Sequence, residues 1–173
     1  MSSFSVNSNY YLRSMYAGTD RTLASSSGRA NADNKKLSYA DSKALKNAIR
    51  ALGDVDFEME EKDVTESYKT KFSKELRAFV DSYNYTLESG KESDNEDVRR
   101  EVKKMKKFTE KYGDRLEELG VSVKTSGYLS YDNTKANSLY LHSFGDTFGS
   151  DSEFMEGISK YASKINKRID YYA

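Results

Sequence analysis

The chain has no cysteine, no proline and no tryptophan, and His142 is the single histidine among its 173 residues. Without cysteine it can form no disulfide, no thiolate nucleophile and no Cys-ligated metal site. One histidine leaves no multi-histidine metal site or His-paired catalytic relay. His142 could pair with Asp146, although a surface histidine in a loop is the expectation. The sequence therefore predicts a protein that is not an enzyme and has no catalytic residues, no metal and no cofactor.

An excess of charge of one sign is also lacking, because 28 basic residues balance 28 acidic ones. A nucleic-acid binder usually carries a net basic face, so we expect no nucleic-acid partner. The basic run "RREVKKMKK" (residues 99–107) reads as residues spread around a helix and exposed to solvent. No apolar run approaches the ~20 residues of a membrane span. The N-terminus also lacks the cationic and apolar regions of a Sec signal peptide.

Aromatic side chains are abundant, with 14 Tyr and 8 Phe in a chain of low mean hydropathy, −0.85. Tyrosine combines an apolar ring with a polar tip, which suits half-buried seams and interfaces. The absence of proline allows long helices, so these aromatics are expected in a helical core.

Two regions differ in composition. Residues 1–37 are rich in Ser, Asn, Ala and Gly, and they predict a flexible or conditionally helical N-terminal arm. Residues 38–173 predict a helical stem domain. Its first helix is expected to begin at Ser38, with Asp41 near its positive end, and to end at Gly53.

The two longest helical patterns predict an antiparallel, coiled-coil-like helical hairpin. The first covers about residues 58–88, and the second begins at Asp94 or Asn95 and continues to Leu119. Their apolar stripes form the predicted core and interaction seam, which consists of Phe72, Leu76, Phe79, Tyr83, Val102, Met105, Phe108 and Tyr112.

A small β-hairpin is predicted near residues 121–131, where "VSVK", "TSG" and "YLSYD" alternate apolar and polar residues around a turn. Asp132 can cap a short helix over 133–141, and a last helix is expected from about Asp151. The residues singled out for the hairpin are Gly120, Val121, Gly127, Leu129 and Asp132. The predicted fold class is mainly α, with a long helical hairpin, a small β-hairpin and short flanking helices.

These segments together resemble the C-terminal helical stem of the flagellar filament cap protein family, the hook-associated protein of type 2. The resemblance covers roughly residues 64–170 and includes a Phe-Gly stretch before the last helix. Cap proteins are usually much longer, with large domains inserted before the helical pair, and Tyr131 stands where the family usually has Leu. The matching residues are Phe79, Val80, Tyr83, Asn84, Leu119, Gly120, Val121, Gly127, Leu129, Ser130 and Asp132.

The resemblance implies a structural protein that leaves the cell by flagellar type III export and resides in the flagellum or outside the cell. Its expected partners are itself, flagellin or hook-junction proteins, and it is expected to be oligomeric when assembled. An alternative is a cytoplasmic adaptor or export chaperone that holds a client's amphipathic helix in an aromatic groove. A third possibility is an extracellular adhesin or effector fragment that binds through Tyr128, Tyr131 and Tyr140.

Overall fold

Nine helices and one two-stranded sheet make up the part of the chain that the computed structural model describes, residues 9–169. Short 3-10 turns connect several of them. This confirms the prediction of a mainly helical chain with a small β-hairpin. The elements are α1 Asn9–Met15, α2 Ser26–Ala30, α3 Asn34–Gly53, α4 Glu66–Lys91, α5 Glu96–Glu110, α6 Gly113–Glu118, β1 Val121–Val123, β2 Leu129–Tyr131, α7 Asn133–Asn137, α8 Gly145–Phe148 and α9 Glu153–Arg168.

Four of the helices surround the core. Helix α3 contacts α4 and α9, and α5 contacts the same two helices, so the four form a closed arrangement. Asn34 at the start of α3 donates to the Ser89 carbonyl near the end of α4 (2.9 Å). Asp97 at the start of α5 pairs with Arg168 at the end of α9 (2.8 Å). Helices in contact in these two pairs therefore run in opposite directions.

Two glycines let these helices approach closely. A Cβ on Gly90 of α4 would lie 2.3 Å from a methyl carbon of Val102 on α5. A Cβ on Gly157 of α9 would lie 2.1 Å from the Phe108 ring of α5. Both distances are far inside van der Waals contact, so any larger residue would force the neighbouring helices apart.

Helix α3 begins earlier than the sequence analysis predicts. Asp33 is its N-cap and accepts a hydrogen bond from the Lys36 amide (2.9 Å). The prediction of a start at Ser38 is wrong because Asp33 already satisfies that amide. Ser38 lies inside the helix, where its buried hydroxyl donates to the Ser89 carbonyl (2.9 Å).

Residues 9–37 pack against the bundle. Helix α1 contacts α3 and α4. Leu12, Met15, Tyr16 and Leu23 are all buried in the common core. The division at residue 37 therefore falls inside α3 and does not coincide with a structural boundary. Residues 1–8 of the predicted arm lie outside the described residues, and dependence of the arm's order on a partner stays a prediction.

The other helix boundaries also differ from the predicted ones. Helix α4 begins at Glu66, where the Thr65 hydroxyl caps it, and the residues before it form a loop. The predicted third helix is two helices, because α5 ends at Glu110 and α6 begins at Gly113. At this break the Tyr112 ring packs against Phe154 of α9, with ring centroids 5.1 Å apart.

The segments after the β-hairpin are shorter than predicted. Helix α7 ends at Asn137 instead of residue 141, and a 3-10 turn covers Leu141–Phe144. Helix α9 begins at Glu153, after Ser152 caps it by accepting from the Met155 amide (3.1 Å).

Candidate functional site

The predicted hairpin forms with its apolar residues on one face. Strands β1 and β2 are antiparallel, with Val121 opposite Tyr131 and Val123 opposite Leu129. Because directly opposed residues of an antiparallel pair project to the same side, these four side chains face the helices together. Val121 and Leu129 are buried, and Val123 and Tyr131 pack against the core.

Two glycines of the hairpin have backbone angles that L side chains rarely adopt. Gly120 has φ +83° where the chain leaves α6, and Gly127 has φ +90° in the turn. Gly127 also lies against the Lys106 side chain, which leaves no space for a Cβ. The turn is therefore held close to the outer side of α5.

The side chain of Asn84 in α4 forms hydrogen bonds with the backbone of the hairpin. Its amide nitrogen donates to the Leu129 carbonyl (2.8 Å), and its amide oxygen accepts from the Leu129 N–H (2.8 Å). The side chain thus occupies the outer edge of β2 and satisfies both backbone groups that β1 leaves unpaired.

A second contact between α4 and the hairpin involves Tyr131 and Ser73, whose hydroxyl oxygens lie 2.6 Å apart. Ser73 also donates to the Asn133 side-chain oxygen (2.9 Å). Burial raises the pKa of Tyr131, and the Ser73 hydrogen bond partly opposes that rise. The tyrosine side chain at this position therefore takes part in a polar contact that leucine could not make.

Asp132 has the predicted role. Its side chain accepts from the Lys135 amide (3.0 Å) and caps α7. Its own amide donates to the Gly120 carbonyl (2.8 Å), which closes the base of the hairpin. The structure therefore brings the five residues singled out for the hairpin into one module that Asn84 joins to α4.

The predicted interaction seam lies in the interior of the bundle. The rings of Phe79 and Phe154 are 6.3 Å apart, and those of Phe108 and Phe154 are stacked at the same distance. Six seam residues are buried, and Phe108 and Tyr112 are partly buried against them; the six are Phe72, Leu76, Phe79, Tyr83, Val102 and Met105. In the folded monomer these residues contact one another and α9, so the seam presents no free apolar groove.

Exposed aromatic surface is small. Among the described residues, the large apolar side chains with high exposure are Tyr10 and Tyr140. Tyr128 and Tyr131 are partly buried against the core, and Tyr140 stacks on His142 with ring centroids 5.8 Å apart. Residues 9–169 therefore present no exposed aromatic groove of the kind that the client-helix alternative requires.

A buried polar network, missed by the sequence analysis, ties the N-terminal segment to the bundle. The fully buried Asp41 accepts from both terminal nitrogens of Arg29 (2.8 and 2.9 Å) and from the Tyr16 hydroxyl (2.6 Å). The Arg29 guanidinium also lies 3.7 Å from the centroid of the Tyr85 ring. The network thereby joins four segments of the chain, with Asp41 binding Tyr16 and Arg29 and Arg29 in turn contacting Tyr85.

The pKa shifts of Tyr16 and Arg29 favour a neutral tyrosine hydroxyl and a charged guanidinium beside Asp41. Burial raises the pKa of the Tyr16 hydroxyl, and the adjacent Asp41 raises it further. Burial alone would lower the pKa of Arg29, but its hydrogen bonds and charge interaction with Asp41 outweigh burial and raise it. The sequence does contain a signal for this network. Asp41 lies on the apolar stripe of α3, one turn before Leu45, where an aspartate needs a buried partner, but the predicted start at Ser38 places it at the helix terminus.

Charge is segregated on the surface. The acidic loop, residues 54–66, contains seven acidic residues and one lysine, and all eight are exposed. The basic face of α5 lies opposite its buried residues rather than spreading around the helix, and it consists of Arg99, Arg100, Lys103, Lys104, Lys106 and Lys107. Glu101, within the same run, is buried, with Lys104 at 3.2 Å and Lys164 at 3.9 Å.

Within residues 9–169, no group of three or more His, Cys, Asp or Glu side chains could hold a metal ion. No helix in the same range is long and apolar enough to cross a membrane. No family model matches the chain, and the searches of curated proteins and of solved structures found no match either.

Proposed function

We propose that the chain is a non-enzymatic structural protein of the bacterial flagellum, similar to a minimal filament cap or hook-associated protein. It acts by self-association or by contact with the filament, and flagellin and hook-junction proteins are its other partners. Type III export would deliver it to the filament or to the extracellular medium.

The observation that carries this proposal is the contact between Asn84 and the hairpin. Asn84 lies in the helical part of the resemblance, and Leu129, Gly120 and Asp132 lie in its strand and turn part. These residues are 35 or more positions from Asn84 in sequence, yet they belong to one module in which a side-chain amide pairs with a strand backbone. A specific long-range contact between the parts of a motif supports the interpretation that the motif is one structural unit.

The helical pair that presents this module is α4 with α5. Gly90 near the end of α4 lies against Val102 in the middle of α5, and this close approach supports the antiparallel hairpin of the proposed stem. In the monomer α3 and α9 cover this pair. Assembly could then use either the outer surfaces of the folded bundle or an exchange of covering helices between neighbours. In such an exchange, the contacts that α3 or α9 makes within the monomer would be replaced by the same contacts with a neighbouring molecule.

The test is localisation of the full-length, untagged chain in its native host, with and without a working flagellar export ATPase. We expect the protein in culture supernatant and on sheared filaments of the parent strain, and in the cytoplasm of the export-deficient strain. Flagellin serves as the positive control and a cytoplasmic enzyme as the lysis control. Equal retention in the cytoplasm of both strains would contradict the proposal.

A further inference from the structure

The acidic loop and the basic face of α5 lie too far apart in one molecule to neutralise each other. Gly90 lies against Val102 of the basic segment, whereas the acidic loop ends at Glu66. At 1.5 Å per helical residue, the 24 residues between them separate Val102 from the end of the loop by roughly 36 Å along the α4 axis, and Lys107, five residues further along α5, by roughly 28 Å. Screening removes most interaction between exposed charges beyond about 10 Å in 0.1 M salt.

The basic face is only partly neutralised by its own helix. Arg100 pairs with Asp97, and Lys104 pairs with the buried Glu101. Lys103 and Lys107, one turn apart and both exposed, have no acidic partner within salt-bridge distance among residues 9–169. The middle of this face is therefore an uncompensated cationic surface in a chain whose net charge is zero.

The acidic loop is equally uncompensated. Its one lysine, Lys62, pairs with Glu60 at 2.6 Å. Glu58 and Glu61 are exposed and have no basic partner among the described residues. The loop joins the antiparallel helices α3 and α4, so it forms an end of the bundle and can reach another molecule without rearrangement.

We propose that the acidic loop of one copy of this chain docks on the basic face of α5 of a second copy. The occupant follows from charge complementarity, because the two surfaces carry opposite charges and, among residues 9–169, the exposed centre of each has no partner of opposite charge. The contact joins two different surfaces, so it either closes as a reciprocal pair or a ring or extends into a filament. This inference rests on the self-association in the proposed function and specifies its surfaces.

The test uses two charge-reversed variants of the full chain. Lys103→Glu with Lys107→Glu removes the basic surface, and Glu58→Lys with Glu61→Lys removes the acidic one. Lys46→Glu with Lys135→Glu is a control for the first variant, with the same change in net charge on α3 and α7. Circular dichroism and thermal unfolding confirm that each variant is folded.

Sedimentation velocity at low and high salt measures association. We expect the wild type and the control to self-associate in about 20 mM salt and to dissociate in about 300 mM, as screened surface charges require. Each reversed variant alone should associate about tenfold more weakly, because two attractive charge pairs become repulsive. A mixture of the two variants contains two compatible pairings, the native acidic loop on the native basic face and the reversed loop on the reversed face. The two variants can therefore alternate, and the mixture should regain association close to that of the wild type.

Three results would overturn the docking. The first is a wild type that stays monomeric at low salt and high concentration. The second is association of the Lys103/Lys107 variant that equals that of the control. The third is a mixture of the two reversed variants that associates no more strongly than either variant alone. Association that resists both salt and charge reversal refutes this surface but leaves self-association intact, and the localisation experiment judges the flagellar role separately.

Discussion

Replacing Asn84 with alanine removes the amide that pairs with the Leu129 backbone. Two hydrogen bonds of 2.8 Å are lost, and two partly buried backbone groups at the edge of β2 lose their partner. At about 0.5–1.5 kcal/mol for each bond, the loss is about 1–3 kcal/mol. Alanine has a higher helix propensity than asparagine, and this difference stabilises α4 by roughly 0.6 kcal/mol. We therefore expect a net loss of about 1–2 kcal/mol in the free energy of unfolding.

The assay combines thermal unfolding with amide hydrogen exchange. For a chain of this length, each kcal/mol lowers Tm by about 2–4 °C, so the expected shift is about 3–6 °C. The Leu129 amide should exchange much faster, whereas amides within α9 should change only with global stability. Asn137→Ala, at an exposed position in α7, is the matched control. An Asn84→Ala variant as stable as this control, with an equally protected Leu129 amide, would refute the reasoning.

Three further substitutions test the core and the buried charges. Burial raises the pKa of Asp81 from 3.8 to about 6, so its folded form binds a proton more tightly than the unfolded chain, and stability declines as pH rises from about 4 to 6. Asp81→Asn should therefore stabilise the protein by up to about 3 kcal/mol at pH 7.5 and have little effect at pH 4, as measured by urea unfolding at both pH values. Equal effects at the two pH values would contradict the raised pKa of Asp81. Gly157→Ala should lower stability by about 1–3 kcal/mol because its Cβ meets the Phe108 ring, and adding Phe108→Leu should restore part of the thermal stability. Asp41→Ala should cost about 3–5 kcal/mol in denaturant unfolding because it removes the buried, doubly hydrogen-bonded counterion of Arg29 and leaves only Glu88 at 4.0 Å, and a loss below about 1 kcal/mol would be inconsistent with the network.

Local patterns predicted the elements whose causes are local. The alternation around Gly127 predicted the hairpin, because two short runs separated by a turn residue must pair with each other. Asp132 was predicted as a cap because its side chain satisfies an amide three residues ahead. The apolar stripe of α3 and its end at Gly53 were also predicted correctly.

Long-range contacts were not predictable in the same way. Residues 9–33 have few apolar side chains, so composition predicted a flexible or conditionally helical arm. Their packing depends on contacts such as Tyr16 with Asp41, 25 residues apart, which no window of the sequence shows. Asn84 illustrates the same limit, because its partner Leu129 is 45 residues away. The basic face could have been predicted, since its six residues fall on one side of a 3.6-residue helix when they are projected around the axis.

The position of α9 between α3 and α5 has a consequence for the order of folding. The loop that joins α3 to α4 has 12 residues, whereas 99 residues separate the end of α3 from the start of α9. Closing the longer loop costs about 2 kcal/mol more in chain entropy, so contact between α3 and α4 is favoured early and docking of α9 late. Until α9 docks, the apolar faces of α3 and α5 that it covers are open to water. Docking of α9 therefore completes the native core. A partner that bound α9 before it docked would keep the chain incompletely folded.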